Sequence, residues 1–305
     1  MSSKPPKFPK FRKITIADKT LLDNYSKKFE FYSDFVFSNI WSWDLENKLE
    51  ISILNSNLIF KFTEYDEDYS FLSFLGSNKL AETTHDLISY SENNLNVDFI
   101  NFIPEEIASK LDSSVFFIEE DRNGFDYIYL PSDIKEYVGT KFKSKRTPMN
   151  KFIRDNPTCS VKEINISNKE IQFTTRKIFQ THQRNKTDSQ KSSYLNLEAM
   201  AFERILNISN HLNILAFGLF LENEMIGFTV DEIIGNKFSL SHFFKINYNA
   251  NGACEYFNNQ IAKELYRLGI EEWNWVEDLG VYNLRKLKES YRPTKLLKQY
   301  KISIT

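Results

Sequence analysis

Cysteine, histidine and glycine are the scarce residues of this chain, and each shortage closes off a class of function. Cys159 and Cys254 are the only two cysteines in 305 residues, and they stand far apart. Two lone thiols cannot build a tetrahedral sulfur site, and the four histidines show no ligand spacing, so no metal is expected. Reduced thiols and a cytoplasmic location are the matching expectation. With nine glycines, the loops depend on Asn, Asp and Ser. No apolar run approaches the ~18 residues that a membrane-spanning helix needs. The first thirteen residues, MSSKPPKFPKFRK, are basic and lack the apolar stretch of a secretory signal. Pro5, Pro6 and Pro9 predict an extended arm over residues 1–12. A net charge of -2 excludes a simple polybasic nucleic-acid binder, and duplex DNA is not an expected partner.

What is present is material for large cores. Hydrophobic residues make up 41% and aromatic residues 15%, with 27 Phe and 15 Tyr. The length predicts two lobes, divided at about residues 13–157 and 158–305. Charge is segregated locally. Glu64, Asp66, Glu67 and Asp68 form one acidic run, and Glu119, Glu120 and Asp121 another. Basic runs occupy 141–154 and 285–301. Two basic segments in a near-neutral chain suit an anionic ligand at one site, or else two solvated helix faces.

Periodicity predicts an α/β (α+β) chain. Helices are expected at 19–28, 80–92, 144–155, 168–183, 196–208, 253–268 and 281–291. Strands are expected at 50–54, 57–63, 71–75, 98–102, 115–118 and 127–130. In the second half they are expected at 160–166, 213–221, 225–234, 237–246 and 272–276. Each half runs helix, antiparallel strands, helix, strand, helix. This is the element order of the GNAT-type acyltransferase fold seen twice in tandem, each lobe a mixed, mostly antiparallel sheet flanked by helices. Other α/β folds share it in part.

Three strings narrow the choice. They are KFKSKRTPMNKF at 141–152, LEAMA at 197–201, where Glu198 opens the expected helix, and VEDLGVYNLRKLKESYRP at 276–293. Together they resemble the DUF2156 family, bacterial proteins related to the C-terminal domain of phosphatidylglycerol lysyltransferase, over about residues 11–300. The resemblance implies a tandem GNAT-like fold and transfer of an aminoacyl group from aminoacyl-tRNA. The multi-span membrane domain of the membrane-bound relatives has no counterpart here, so lipid modification is not carried over, though peripheral lipid contact stays open. Two departures bear on activity. The family's His-x-Glu-Lys is here His242-Phe243-Phe244-Lys245, with Phe244 replacing the acid, and its Lys-Arg-Asn is Lys145-Arg146-Thr147.

Acyl transfer needs cations for a phosphate-rich carrier, a group that draws a proton from the acceptor, and a donor near the leaving group. Arg285, Lys288 and Arg292 fall at helical spacing as a basic stripe, with Leu284, Leu287 and Tyr291 expected to pack inward. Lys143, Lys145 and Arg146 are further phosphate-binding candidates. Glu277 and Asp278 end a strand, where ligands of open sheets collect; Asp278 also suits a cap on the helix near residue 281. Alternation places His242 with Phe238, Leu240 and Phe244, and Lys245 on the opposite face. Lys245 suits an anionic substrate, and His242 equally suits a satisfied core position. Glu198 and Asn258 match family positions and also suit local backbone bonds. Tyr291 resembles the helix tyrosine that protonates a leaving thiolate in GNAT enzymes, or it simply packs its ring. The expected site is therefore His242, Glu277, Asp278 and Tyr291 for catalysis, with the named cations, Glu198 and Asn258 for binding, in one cleft of the second lobe.

The loop 247–252 has one glycine and makes a poor phosphate nest, which favours aminoacyl-tRNA over acyl-CoA as co-substrate. A non-catalytic binding protein and a CoA-dependent acetyltransferase remain the alternatives.

Overall fold

The computed structural model describes residues 4–64, 69–184, 189–247 and 251–305. The acidic positions Asp66, Glu67 and Asp68 and residues 248–250 of the loop 247–252 lie outside the described residues. In chain order the elements begin with β1 (Arg12–Lys13), α1 (Lys19–Ser26), α2 (Phe37–Trp43), β2 (Glu50–Leu54), β3 (Asn57–Glu64) and β4 (Tyr69–Leu75). Next come α3 (Leu80–Asn94), β5 (Phe99–Pro104), α4 (Glu105–Ala108), β6 (Phe116–Glu120), β7 (Asp126–Tyr129) and α5 (Pro131–Ile134). These are followed by α6 (Lys143–Asp155), β8 (Ser160–Glu163), α7 (Lys169–Arg184), α8 (Ser189–Ile208), β9 (Ile214–Leu221) and β10 (Glu224–Ile234). The chain ends with β11 (Phe238–Ile246), α9 (Ala253–Arg267), β12 (Glu272–Asn274), α10 (Tyr282–Ser290), β13 (Lys295–Leu297) and β14 (Gln299–Ile304).

Two seven-stranded sheets organise these elements, ordered β1-β2-β3-β4-β5-β14-β6 and β13-β7-β12-β11-β10-β9-β8. In the first, β2 and β3 form a hairpin whose turn residues, Asn55 and Ser56, both take positive φ, as a two-residue connection requires. β4 and β5 then run parallel, joined by the crossover helix α3. Ile59, Leu72, Phe74, Leu87, Ile88 and Ile100 seal helix to sheet with no solvent contact. In the second, β8 to β11 pair antiparallel in succession, and β11 runs parallel to β12 across α9. Phe257, Ile261, Ala262 and Leu265 form the buried stripe of α9 and pack with Leu219 and Trp273. The mixed, mostly antiparallel double-sheet α/β architecture expected from the sequence is the one observed.

The chain divides differently from the expected break at 157/158. One unit comprises Met1–Asp126, Glu277–Gly280 and Leu297–Thr305, the other Tyr127–Val276 and Val281–Leu296. The cause is strand pairing. β14, the last strand, lies between β5 and β6, whereas β7 pairs with β12. The N-terminal arm, described from Lys4, is not extended throughout: it turns at Phe8–Pro9, where Lys10 N–H donates to Lys7 O at 3.0 Å, and it is fixed on β2. Phe8 N–H donates to Ile53 O at 3.0 Å, Ile53 N–H donates to Pro6 O at 2.9 Å, and the Phe8 ring packs on Tyr90. Among the described residues no helix is long and apolar enough to cross a membrane.

Candidate functional site

Helix α6 separates two faces of different chemistry in the second unit. Its outer face borders an open groove of about 720 Å³, lined by Thr140, Lys141, Lys143, Ser144, Thr147, Pro148, Lys151, Asn251 and Arg292. Lys143, Thr147 and Lys151 recur every four residues, which stacks them on one helical face. Lys141 is paired with Asp133 at 2.8 Å. Lys143, Lys151 and Arg292 are exposed and carry no ion pair among the described residues. Among the described residues no carboxylate lines the groove. Pro148 sits inside the helix and has no amide hydrogen, so the Ser144 carbonyl lacks its intrahelical donor.

The inner face of α6 meets a buried polar cluster. Lys145 is 6% exposed; its Nζ lies 3.4 Å from Glu255 Oε1 and 3.8 Å from the centre of the Tyr291 ring. Asn258 Nδ2 donates to Tyr291 Oη at 3.3 Å, and Tyr137 Oη donates to the Glu255 carbonyl at 3.1 Å. Burial pulls the Lys145 ammonium below its ordinary pKa, and the Glu255 carboxylate opposes that shift. Burial, then Tyr137 and Glu255, hold the Tyr291 phenol well above its ordinary value. Tyr291 therefore stays protonated, beside a cation and an amide donor that would stabilise its phenolate. Of the expected residues, Lys145, Asn258 and Tyr291 meet here. Glu255 and Tyr137 were missed, though Glu255 is legible as the acid one turn before Asn258 in α9.

His242 and Lys245 lie elsewhere. The pairing of β10 with β11 passes from Val230↔Phe243 to Asp231↔Ser241, leaving His242 as the extra residue of a bulge. The bulge breaks the alternation expected for β11. Phe243 packs on Phe179 and Phe202 of α7 and α8, while Phe244 packs on Phe257 of α9. Lys245 falls on the α7/α8 side, with Nζ 2.6 Å from Glu198 and above Phe179. Glu198 lies in the middle of α8, which starts at Ser189, and does not open a helix. His242 Nε2 lies 3.3 Å from Glu232 Oε2, both side chains almost fully enclosed. On the α9 side of the same sheet, Asp231 accepts from Trp273 Nε1 at 2.8 Å and Thr229 Oγ1 at 2.7 Å. Burial pushes its carboxyl up to about 6.

The basic stripe expected on α10 does not form. The helix buries Lys288, whose Nζ donates to the carbonyls of Trp275 at 2.5 Å and Val276 at 3.0 Å, and leaves Leu287 48% exposed. Arg285 is half-buried and already engaged. Arg292 lies beyond the helix at φ 59°, so helical spacing no longer governs it, and it reaches the groove. Arg146 clamps a turn by donating to the carbonyls of Tyr137 and Gly139 and is not offered to a ligand. Glu277 and Asp278 belong to the first unit. Asp278 does not cap α10; it accepts from Gly280 N–H at 2.9 Å and pairs with Arg122 at 3.2 Å. Within the second unit the described contacts thus hold Tyr291 with Lys145 and Asn258, His242 with Glu232, and Lys245 with Glu198.

Known proteins place this arrangement. No curated protein matches the chain by sequence. A conserved protein of unknown function from Bacteroides thetaiotaomicron is 25% identical, with a TM-score of 0.83 over 97% of this chain and 99% of its own. A C-terminal domain (DUF2156) assigned to a lysylphosphatidylglycerol synthetase of Agrobacterium fabrum is 12% identical, with a TM-score of 0.63, covering 95% and 92%. L-PGS of Bacillus licheniformis is 11% identical, with a TM-score of 0.59, covering 99% and 94%. These likenesses show that the fold is shared. The profile of the phosphatidylglycerol lysyltransferase C-terminal family matches residues 27–303, and the chain belongs to that family.

Proposed function

We propose that this chain transfers an aminoacyl or acyl group from a phosphate-rich carrier held in the groove along α6, and that the carrier is an aminoacylated RNA end in preference to coenzyme A. One observation supports this above the rest: among the described residues, three cations without ion pairs, Lys143, Lys151 and Arg292, converge with the hydroxyls of Thr140, Ser144 and Thr147 in a groove that no carboxylate lines. Such a surface suits phosphates. Coenzyme A is disfavoured by the start of α9. A Cβ on Gly252 would lie 2.1 Å from the Pro148 carbonyl oxygen, so α6 crowds the helix end that would otherwise offer its amides to a pyrophosphate.

In the transfer, the acceptor amine attacks the ester carbonyl carbon, the ester C–O bond breaks, and the leaving oxygen takes a proton. Tyr291 is the proton donor in this reading, and Lys145 and Asn258 stabilise the resulting phenolate until the proton lost by the amine restores it. A hydroxyl acceptor follows the same course. The test is binding of charged tRNA and of coenzyme A, measured by fluorescence anisotropy. The wild type should bind RNA with a salt dependence that weakens by about two log–log units when Lys143, Lys151 and Arg292 are all replaced by Ala. Unchanged binding by the triple variant refutes the placement.

Binding without transfer is a second reading. It is favoured by the near-complete burial of Tyr291 and Lys145. Tyr291→Phe separates the two: it abolishes aminoacyl loss from bound tRNA if transfer is the function and changes nothing if it is not.

A further inference from the structure

Tyr137 is fixed from two sides, and its hydroxyl meets that of Tyr291. It has no solvent exposure. Its backbone takes φ 48°, a region that a bulky residue enters at a cost and keeps only when its surroundings enforce it. Arg146 enforces it here, its Nη1 donating to the carbonyls of Tyr137 and Gly139. The ring centres of Tyr137 and Tyr291 lie 6.3 Å apart, and the two phenols share a hydrogen bond. Tyr137 Oη donates its one proton to the Glu255 carbonyl at 3.1 Å, so the shared bond is donated by Tyr291. Donation therefore runs from Asn258 Nδ2 to Tyr291 Oη, then to Tyr137 Oη, then to the Glu255 carbonyl.

The last bond of this chain is the one most easily given up. Glu255 is the third residue of α9, so its carbonyl also faces the amide of Asn259, four residues on. That carbonyl stays satisfied if the phenol turns away. A Tyr291 phenolate, by contrast, is short of donors. The described hydrogen bonds give Tyr291 Oη a single donor, Asn258 Nδ2 at 3.3 Å, while Lys145 Nζ stands above the ring. A buried anion needs more than one neutral donor to offset its lost hydration. Among the described residues the titratable groups around Tyr291 are Tyr137, Tyr129 on β7, Glu255 and Cys254 on α9, and Lys145 on α6.

We infer that Tyr137 is a positioning residue for Tyr291: its hydroxyl accepts from Tyr291 while that phenol holds its proton, and turns to donate to it once the proton has gone to the leaving oxygen. The inference rests on Tyr291 as the proton donor of the transfer. The Tyr291 O–H swings from Tyr137 to the leaving oxygen, gives up its proton and keeps the electron pair. Tyr137 keeps its own O–H bond throughout, and only the direction of that bond changes. Before the step its oxygen end faces Tyr291 and favours the protonated phenol. After the step its hydrogen end faces Tyr291 and favours the phenolate, which is stabilisation specific to the charge that develops.

The experiment places a polyfluorinated tyrosine at position 291 of the full chain and follows its ionisation by fluorine NMR, which reads that phenol alone. Tyr137→Phe keeps the ring and removes the hydroxyl. It should raise the pKa of residue 291 by about 1–2, the loss of one hydrogen bond to an anion. A Tyr137 that only packs, with its proton fixed on Glu255, offers residue 291 nothing but oxygen lone pairs. Its removal would then leave that pKa unchanged or lower it, and that result overturns the inference. Should Tyr137→Phe fail to fold, Arg146→Met, which frees the turn that holds Tyr137, is read in its place with the same two outcomes. In the transfer assay Tyr137→Phe should lower kcat about tenfold to a hundredfold at unchanged KM, and a rise in KM alone overturns the inference as well. Absence of transfer in the wild type refutes transfer as the function, and the NMR comparison still decides the role of Tyr137.

Discussion

Lys145 and Asp231 are both charged groups that the second unit keeps from water, and they make opposite demands on the fold. Lys145 is held by Glu255, so removing the partner leaves an uncompensated cation. Glu255→Gln should cost about 2–3 kcal/mol in urea unfolding, and Lys145→Met should recover part of that loss in the double variant. Asp231 has a folded pKa of about 6 against an ordinary value of 3.8, so the native state binds the proton more tightly than the unfolded chain does. Its ionisation therefore weakens the fold above pH 6, and that penalty is relieved as pH falls from about 6 toward 3.8. Between pH 7 and pH 5 the wild type should gain about 1 kcal/mol relative to Asp231→Asn, as read from paired denaturation curves. The sequence names Lys145 through its motif. It says nothing of Asp231, whose strand position looks like any other until the Trp273 indole is seen above it.

Helix α6 and strand β11 mark where element-level reading holds and where it stops. The four-residue recurrence of Lys143, Thr147 and Lys151 is visible in the sequence, and the structure places all three on one groove. Alternation along β11 is equally visible and correctly sets Lys245 opposite Phe244, yet one bulge at His242 separates Phe244 from the face that Phe238 and Leu240 share. A single unpaired residue leaves no compositional trace. The face of α10 was misread for another reason. Leucine ordinarily seeks the core, but the carbonyls of Trp275 and Val276 need a donor more than the core needs Leu287. Where α6 meets α9, Gly252 takes φ 97° with no room for a side chain. Gly252→Ala should lower stability by about 2 kcal/mol or more, visible as a fall in Tm, and should separate the two helices that frame the groove.

Considered as a whole molecule, the chain is two units interleaved through four covalent crossings, after Asp126, Val276, Gly280 and Leu296. The two sheets and their helices were legible because hydrophobic periodicity is local. Their division was not, because β14 reads as an ordinary short strand and gives no sign of whether β5 or a nearer strand receives it. A chain ending at Leu296 should lose protection from hydrogen exchange across β5 and β6, since the β14 backbone bonds and the fully buried Ile302 go with the deletion. A peptide covering 158–305 should not fold alone, because it lacks β7 beside β12.

The place of β14 also sets a timetable for biosynthesis. A ribosome adding about 5–20 residues per second emits Phe99–Pro104 long before Gln299–Ile304 exists. The open edge of β5 must wait through roughly two hundred further additions, an interval of about 10–40 seconds at that rate. Nascent polypeptide in that interval exposes an unpaired strand edge, so the stage most prone to aggregation, and most in need of a chaperone, is the incomplete first unit on the translating ribosome.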